Sequence, residues 1–256
     1  MDTIENCKPF GIILFARNFT SPADIKYLTT LFNEIDSDLH YLIDQEGGEK
    51  CRIEGEPYCP PCPWEMRKKS DKFVYQVYRD SAEALTELGI TINLAPVADL
   101  GCGEYIKKRT FGTHPEETAG HMLSAIEGIT AGGLIPCVKH FPGLGSSSLD
   151  PHENFISSDA SIAEFEEKHW LPFRAAIEIG VPLIMTTHIL APALDAMFPA
   201  TYSKKIISKI REFGFCGRIL TDDLSMMRGA QKFPPEQRVS KALDAGHDVA
   251  LWCEGN

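Results

Sequence analysis

Short apolar runs recur along the chain, and a stretch with helical periodicity follows most of them. The runs do not alternate strictly between polar and apolar positions, which is typical of strands that are covered on both faces. We predict seven strands from them, at residues 11–15, 40–44, 91–97, 135–139, 182–187, 218–222 and 248–252.

The stretches between the runs predict helices. Ser21 and Pro22 offer an N-cap and a proline at the first helical position, and Ile25, Leu28 and Phe32 then mark one apolar face. Further helices are predicted at residues 70–88, 115–131, 163–179, 203–213 and 236–245. A glycine follows the end of each of these five, as C-terminal caps do: Gly89, Gly132, Gly180, Gly214 and Gly246.

Alternation of strand and helix predicts an α/β protein with a parallel sheet. Seven strands and six helices in 256 residues indicate a (β/α)8 TIM-type barrel, which typically needs about 250 residues. We therefore expect one barrel domain over residues 1–256. The alternative is a doubly wound open sheet, but that fold usually carries a glycine-rich phosphate loop after its first strand, and residues 15–18 (Phe-Ala-Arg-Asn) are not one.

Composition and charge narrow the class of function. The chain is 43% hydrophobic and carries a net charge of −11, which disfavours a disordered chain and a nucleic-acid partner. No apolar run approaches the roughly 20 residues of a membrane helix, so no membrane association is expected. Eight cysteines are scattered along the sequence, and several lie in apolar runs. We expect reduced thiols and a cytoplasmic protein.

Ionisable residues stand where five of the predicted strands end. Any strand of a soluble protein can end in a polar residue, but Asp, Lys and His at five ends favour a functional site, because barrel active sites form at these ends. The residues concerned are Asp44, Asp99, Lys139, His140, His188, Asp222 and Asp223. Spacing does not separate Asp222 from Asp223, and His188 fits a sugar contact and a rim hydrogen bond equally well.

A loop rich in glycine and serine follows the strand at 135–139. Asp150 and His152 lie on it, two residues apart. If the turn brings them together, the carboxylate fixes the imidazole tautomer and raises its basicity, as in a catalytic dyad. Cys59 and Cys62 have the spacing of a redox or metal pair, but no second pair or histidine is nearby, and a structural role is favoured.

Seven motifs occur in the order in which one known family has them, over nearly the whole chain. The chain resembles glycoside hydrolase family 3, specifically its single-domain β-N-acetylglucosaminidases (β-hexosaminidases) of cell-wall recycling, which act on muropeptides. The matching stretches are GIILFARN (11–18), DQEGG (44–48), LAPVADL (94–100), RTFG (109–112), KHFPG (139–143), DPH (150–152) and TDDLSM (221–226).

The resemblance implies a retaining exo-acting glycosidase that cleaves β-linked N-acetylglucosamine by double displacement. Asp222 would be the nucleophile, and His152, oriented by Asp150, the general acid/base. The residues implied to bind the sugar are Asp44, Arg52, Arg109, Lys139, His140 and Met226. No metal or cofactor is implied, and the expected partner is a small-molecule glycan. The oligomeric state is not predicted.

Members of this family begin with a further strand and helix before the run at 11–15 and continue beyond residue 252. We therefore expect a barrel that lacks its first strand and last helix. Three alternatives stay open: a β-N-acetylglucosaminide phosphorylase on the same scaffold, an inactive barrel remnant, and, with less support, a metal-dependent barrel hydrolase. Pro151 stands where the family usually has Ser or Thr, which stiffens the loop.

Overall fold

The computed structural model describes residues 8–144 and 154–253. Its centre is a six-stranded parallel sheet in which the strands follow one another in sequence order, as in a curled half-barrel. The strands are β1 Gly11–Leu14, β2 His40–Ile43, β3 Ile92–Asn93, β4 Ile135–Phe141, β5 Leu183–Thr186 and β6 Arg218–Thr221. The predicted α/β barrel architecture is thereby confirmed, and the doubly wound alternative is wrong.

Nine α-helices occur in the described ranges, mostly between successive strands. They are α1 Pro22–Asn33, α2 Pro63–Met66, α3 Asp71–Glu87, α4 Glu104–Lys107, α5 Pro115–Ala131, α6 Ile162–Glu164, α7 Leu171–Glu178, α8 Lys204–Glu212 and α9 Pro235–Ala245. Short 3-10 helices cover Ala16–Asn18, Ala200–Tyr202 and Arg228–Lys232. None of the helices in the part of the chain that is described is long and apolar enough to cross a membrane.

The seventh predicted strand, at 248–252, is not a full strand. Val249 forms one parallel bridge with Leu220, and Leu251 accepts a hydrogen bond from the backbone of Leu224 at 3.0 Å. Asp248 turns its carboxylate back onto the backbone N–H of Ile219 at 2.7 Å. The segment therefore extends the sheet beside β6 without continuous pairing.

Both faces of the sheet are buried, which explains why the strands read as unbroken apolar runs. One face carries the barrel interior, a cluster of Leu42, Ile92, Leu94, Cys137, Leu183, Met185 and Leu220. The other face packs on the helices through a larger cluster that includes Ile43, Val138, Ile184 and Ile219.

The predicted start of α1 is confirmed in detail. The Asp24 carboxylate accepts the backbone N–H of Ser21 at 2.9 Å, while the Ser21 hydroxyl accepts the N–H of Asp24 at 3.4 Å. Two orphan donors of the first turn are thus satisfied reciprocally.

The helix predicted over 163–179 is divided. A π-helical turn at Phe165–His169 follows α6, and α7 begins only at Leu171. Phe165 and Trp170 are both buried and stack with centroids 5.7 Å apart, so the wider turn brings two large aromatic side chains to the same core. Periodicity alone did not predict this interruption.

The expectation of reduced thiols is wrong for two cysteines. Cys51 and Cys59 form a disulfide, with Cα atoms 5.8 Å apart. The loop after β2 turns back on itself, which brings together two residues that the sequence separates by eight positions. Among the described residues the free cysteines are Cys62, Cys102, Cys137, Cys216 and Cys253.

Two glycines of α5 give a matched test of helix packing. A Cβ at Gly128 would collide with the backbone oxygen of Tyr75 on α3, whereas a Cβ at Gly120 would meet nothing within 4 Å. We expect Gly128→Ala to lower the free energy of unfolding by about 1–3 kcal/mol. Gly120→Ala should raise it by about 0.5–1 kcal/mol, because alanine has less freedom in the unfolded chain. Urea unfolding measures both, and equal effects would contradict the close approach of α3 and α5.

Candidate active site

The carboxyl ends of the strands surround a pocket with a cavity volume of about 200 Å³. Because parallel strands all point their carboxyl ends to one rim, the polar residues that follow them converge there. The pocket is lined by eight residues that the sequence analysis singled out: Asp44, Arg52, Arg109, Lys139, His140, Asp222, Asp223 and Met226.

Asp44 follows β2 and lies between two cations. Its Oδ1 accepts from Lys139 Nζ at 2.8 Å, and its Oδ2 accepts from Arg52 Nη2 at 2.8 Å. Burial alone would raise the pKa of Asp44, but the charges of Lys139 and Arg52 outweigh it, and the pKa is lowered. The carboxylate is therefore ionised at neutral pH and faces the cavity.

Glu46 is the most buried carboxylate of the pocket, with 3% of its side chain exposed. It accepts two hydrogen bonds from Arg109, at 2.7 Å from Nε and 2.8 Å from Nη2. Its Oε1 is also 2.6 Å from Lys139 Nζ. Burial opposes ionisation, yet Arg109 and Lys139 hold the pKa of Glu46 far below its usual range.

Lys139 lies between Asp44 and Glu46, with 3% of its side chain exposed. Burial by itself would lower the pKa of this ammonium group, but the two carboxylates outweigh burial and raise it. The lysine is thus a fixed cation, a hydrogen-bond donor whose position β4 determines.

His140 and Asp99 form a buried pair behind Arg109. Asp99 Oδ2 is 2.7 Å from His140 Nδ1 and accepts the backbone N–H of His140 at 3.1 Å. His140 Nε2 is 3.2 Å from Arg109 Nη2. The other Asp99 oxygen accepts the N–H of Leu144 at 2.7 Å.

The geometry distinguishes Asp222 from Asp223, which spacing could not. Asp223 Oδ1 accepts from Ser225 Oγ at 2.7 Å, from the Ser225 N–H at 2.9 Å and from the Cys253 N–H at 3.1 Å. Its oxygens therefore hold the loop after β6. Asp222 is half-buried, and its Oδ1 accepts only the backbone N–H of Asp223, at 2.8 Å, in the described part of the chain.

The loop that carries Arg52 is fixed at its base. Gln45 is fully buried, and its Oε1 accepts the backbone N–H of Arg52 at 2.8 Å while its Nε2 donates to Ile53 O at 2.6 Å. The Cys51–Cys59 disulfide closes the same loop. Arg52 is thus presented to Asp44 by a constrained backbone.

The predicted dyad, Asp150 and His152, lies outside the described residues. His188 does not line the pocket. It is buried, with Nε2 2.9 Å from Asp223 O and Nδ1 2.6 Å from Thr201 Oγ1. Of the two roles considered for His188, the structure therefore shows the hydrogen bond at the barrel rim. Over residues 8–144 and 154–253, His, Cys, Asp and Glu side chains form no group of three that could hold a metal ion.

Sequence reasoning did not identify Glu46, and it placed Asp99 among the strand-end residues of a functional site without giving it a role. A signal for Glu46 was available, because Asp44 and Glu46 are two positions apart in extended backbone and therefore point to the same side. Asp99 offered no such signal, since its partners lie on the next strand and in the following loop. Chemically, the pocket combines fixed donors, fixed acceptors and one accessible carboxylate, an arrangement suited to a polyhydroxylated ligand.

Comparison with known protein families gives a match over almost the whole chain. The family model described as "Glycosyl hydrolase family 3 N terminal domain" matches residues 2–256. A beta-hexosaminidase of Nitrosomonas eutropha is 32% identical over 255 residues, which are 95% of this chain and 73% of that protein. A beta-hexosaminidase of Neisseria meningitidis serogroup C is 33% identical over 256 residues, 95% of this chain and 71% of that protein.

Solved structures show the same similarity in three dimensions. NagZ from Neisseria gonorrhoeae superposes with a TM-score of 0.86 at 31% identity, covering 96% of this chain and 74% of that one. A family 3 beta-N-acetylglucosaminidase from Paenibacillus superposes with a TM-score of 0.90 at 30% identity. That match covers 97% of this chain but 50% of the Paenibacillus protein, so the chain spans half of that structure.

We expect Glu46→Gln to destabilise the protein strongly. The substitution leaves Arg109 and Lys139 buried without one of their counter-charges, and removal of one partner from a buried pair costs about 3–5 kcal/mol. The control is Glu49→Gln, which breaks the exposed pair of Glu49 with Lys108 at 2.6 Å and should cost less than about 1 kcal/mol. Urea unfolding compares the two, and similar losses would show that Glu46 is not the centre of the network.

The stability of the wild type and that of Glu46→Gln should also depend differently on pH. Because folding lowers the pKa of Glu46, its ionisation stabilises the fold fully above the unfolded pKa, about 4.3. This stabilisation is lost as pH falls further toward the folded pKa. Below pH of about 4 the wild type should therefore lose stability more steeply than Glu46→Gln.

Proposed function

The chain belongs to glycosyl hydrolase family 3, and we propose that it is a retaining glycosidase that removes terminal β-linked N-acetylglucosamine from muropeptides or related glycans. Relatives about one third identical are named beta-hexosaminidase, and a structural neighbour is named beta-N-acetylglucosaminidase. The pocket at the carboxyl ends of the strands has the size and the polar lining for one sugar residue.

The observation that carries this proposal is the accessible carboxylate of Asp222. Both Asp222 and Asp223 line the pocket, but the oxygens of Asp223 are occupied by Ser225 and Cys253. Asp222 would attack the anomeric carbon, and the leaving glycosidic oxygen would take a proton from the general acid. Water would then release the sugar from the aspartyl ester with net retention of configuration.

The general acid and base would be His152, with Asp150 as its orienting partner. An unperturbed imidazole has a pKa near 6.5, so one group can give a proton in the first step and take one from water in the second near neutral pH. Both residues lie outside the described ranges, and this assignment rests on the resemblance of the DPH motif.

The remaining pocket residues would bind the sugar. Asp44 can accept from hydroxyl groups, and Arg52, Arg109 and Lys139 can donate to hydroxyl and N-acetyl oxygens. Met226 is 54% exposed at the rim, where its thioether can cover an apolar edge of the sugar. His140 also lines the pocket, and its tautomer decides which ring nitrogen donates and which accepts.

We also propose that residues 1–256 act as one barrel-type domain in the cytoplasm. The family match over residues 2–256 and the uninterrupted six-stranded sheet support one domain. Five described cysteines are free, two of them exposed, which supports a reducing compartment. The Cys51–Cys59 disulfide is the exception to that pattern.

We expect Asp222→Asn to abolish glycosidase activity. Loss of the nucleophile should lower kcat by about a thousandfold or more, because an amide cannot form the glycosyl ester. Release from a chromogenic β-N-acetylglucosaminide measures the effect, with the surface substitution Asp38→Asn as the control that keeps wild-type activity. Equal activity of Asp222→Asn and wild type would reject the assigned nucleophile. Product that appears as the 1-phosphate sugar only when phosphate is added would identify a phosphorylase.

Thiol labelling in cells tests the compartment. If the protein is cytoplasmic, acid-quenched alkylation should modify Cys102 and Cys216 as free thiols and should recover Cys51 and Cys59 at least partly reduced. Complete oxidation of Cys51 and Cys59 in freshly quenched cells, together with recovery of the protein from the cell envelope, would contradict a cytoplasmic location.

A further inference from the structure

Asp99 is a fully buried carboxylate, with none of its side chain exposed, directly behind the pocket. It does not line the cavity, so a sugar in the pocket cannot touch it. Both of its oxygens nevertheless have defined partners: Oδ2 faces His140, and Oδ1 accepts the backbone N–H of Leu144 at 2.7 Å. Whatever Asp99 does for a ligand must therefore pass through these neighbours.

His140 lies between Asp99 and Arg109, and these two neighbours fix the positions of its ring protons. A guanidinium group carries donors only. His140 Nε2, 3.2 Å from Arg109 Nη2, must therefore accept. The ring proton then belongs on Nδ1, which is 2.7 Å from the Asp99 carboxylate, a group that accepts only.

The other protonation states conflict with the same contacts. The Nε2–H tautomer would point a donor at the donor of Arg109 and a lone pair at the carboxylate of Asp99. An imidazolium would satisfy Asp99 but place a second positive charge against Arg109. At a pair with 5% and 0% side-chain exposure, water cannot relieve either conflict.

We propose that Asp99 is a positioning residue: it holds His140 as the neutral Nδ1–H tautomer, so that Nε2 is a fixed acceptor for Arg109 beside the sugar site. The inference rests on the proposed function and refines it. Arg109 is then held from two sides, by the Glu46 carboxylate and by the His140 lone pair. Guanidinium orientation is set before a ligand arrives.

The assignment has a consequence for recognition. The single lone pair of His140 Nε2 is engaged by Arg109, so this nitrogen offers the ligand neither a donor nor a free acceptor. Recognition at this point therefore depends on Arg109, which lines the pocket and whose orientation His140 helps to fix.

Nitrogen-15 NMR of histidine-labelled protein tests the proposal directly. The two tautomers differ in which ring nitrogen has the chemical shift of a protonated nitrogen, and His140→Gln assigns the signals by their loss. In the wild type at neutral pH we expect Nδ1 of His140 to be protonated and Nε2 to be unprotonated. An Nε2–H tautomer or an imidazolium there would overturn the proposal without any variant of Asp99.

The variant Asp99→Asn gives a second test of the proposal. An amide has one acceptor oxygen for three N–H groups, so it cannot satisfy His140 and Leu144 together. We expect the Nδ1–H population of His140 to fall and kcat/KM to drop about ten- to a hundredfold, by analogy with the loss seen when the outer partner of a metal-binding histidine is removed. An unchanged His140 tautomer in a folded Asp99→Asn protein would overturn the proposal.

Asp195→Asn is the matched control. Asp195 is also buried, and its carboxylate accepts from Ser203 Oγ at 2.6 Å and from the backbone N–H of Met197 at 2.9 Å, away from the pocket. We expect a lower Tm with unchanged His140 signals and unchanged kcat/KM. Because the tautomer is read without substrate, failure of the glycosidase proposal would show as lack of activity in the wild type and would leave the NMR result to stand separately.

Discussion

Two carboxylates and two cations, which are buried and therefore need partners, define the geometry of the pocket. Asp44 and Glu46 follow β2, Lys139 lies on β4, and Arg109 lies between α4 and α5. Each buried charge is costly unless it is paired and hydrogen-bonded. Their mutual contacts at 2.6–2.8 Å therefore fix the distance between β2 and β4 at the rim. These buried ion pairs thus also set the shape of the ligand site.

The sheet makes this arrangement possible because side chains along its strands form the core, whereas the functional side chains lie at the strand ends. Along each strand, alternate side chains fill the barrel interior or pack against the helices, and the strand then ends in ionisable residues. β4 illustrates the change: Cys137 lies in the interior cluster, Val138 packs on the helix side, and Lys139 turns to the carboxylates. A shift of one residue in register would bury an aliphatic group among charges, so the apolar pattern also protects the site.

Much of this could be predicted from sequence, and the parts that could not have a common cause. Apolar runs predicted the strands because burial on both faces is a local requirement that each run meets by itself. Strand ends predicted Asp44, Lys139, His140 and Asp222 because parallel topology collects them at one rim. Glu46 was missed, and Asp99 was recognised only as a strand-end residue, because their roles depend on which side chains face them across neighbouring strands. The Cys51–Cys59 disulfide was missed for the same reason, since eight positions of separation do not say how a loop turns.

The pairing of charges also bears on the kind of ligand the pocket accepts. Asp44, Glu46 and Asp222 are matched in the lining by Arg52, Arg109 and Lys139, and the lining also includes Arg17, Lys50 and Asp223. The inner cations are each hydrogen-bonded to a carboxylate or lie in an ion pair with one. A phosphate group at these three cations would have to compete with the carboxylates that already accept from them. A neutral sugar needs no such exchange: its hydroxyl groups can donate to a carboxylate and accept from a cation at once. The pairing of cations with carboxylates in the pocket therefore favours a neutral sugar over an anionic ligand.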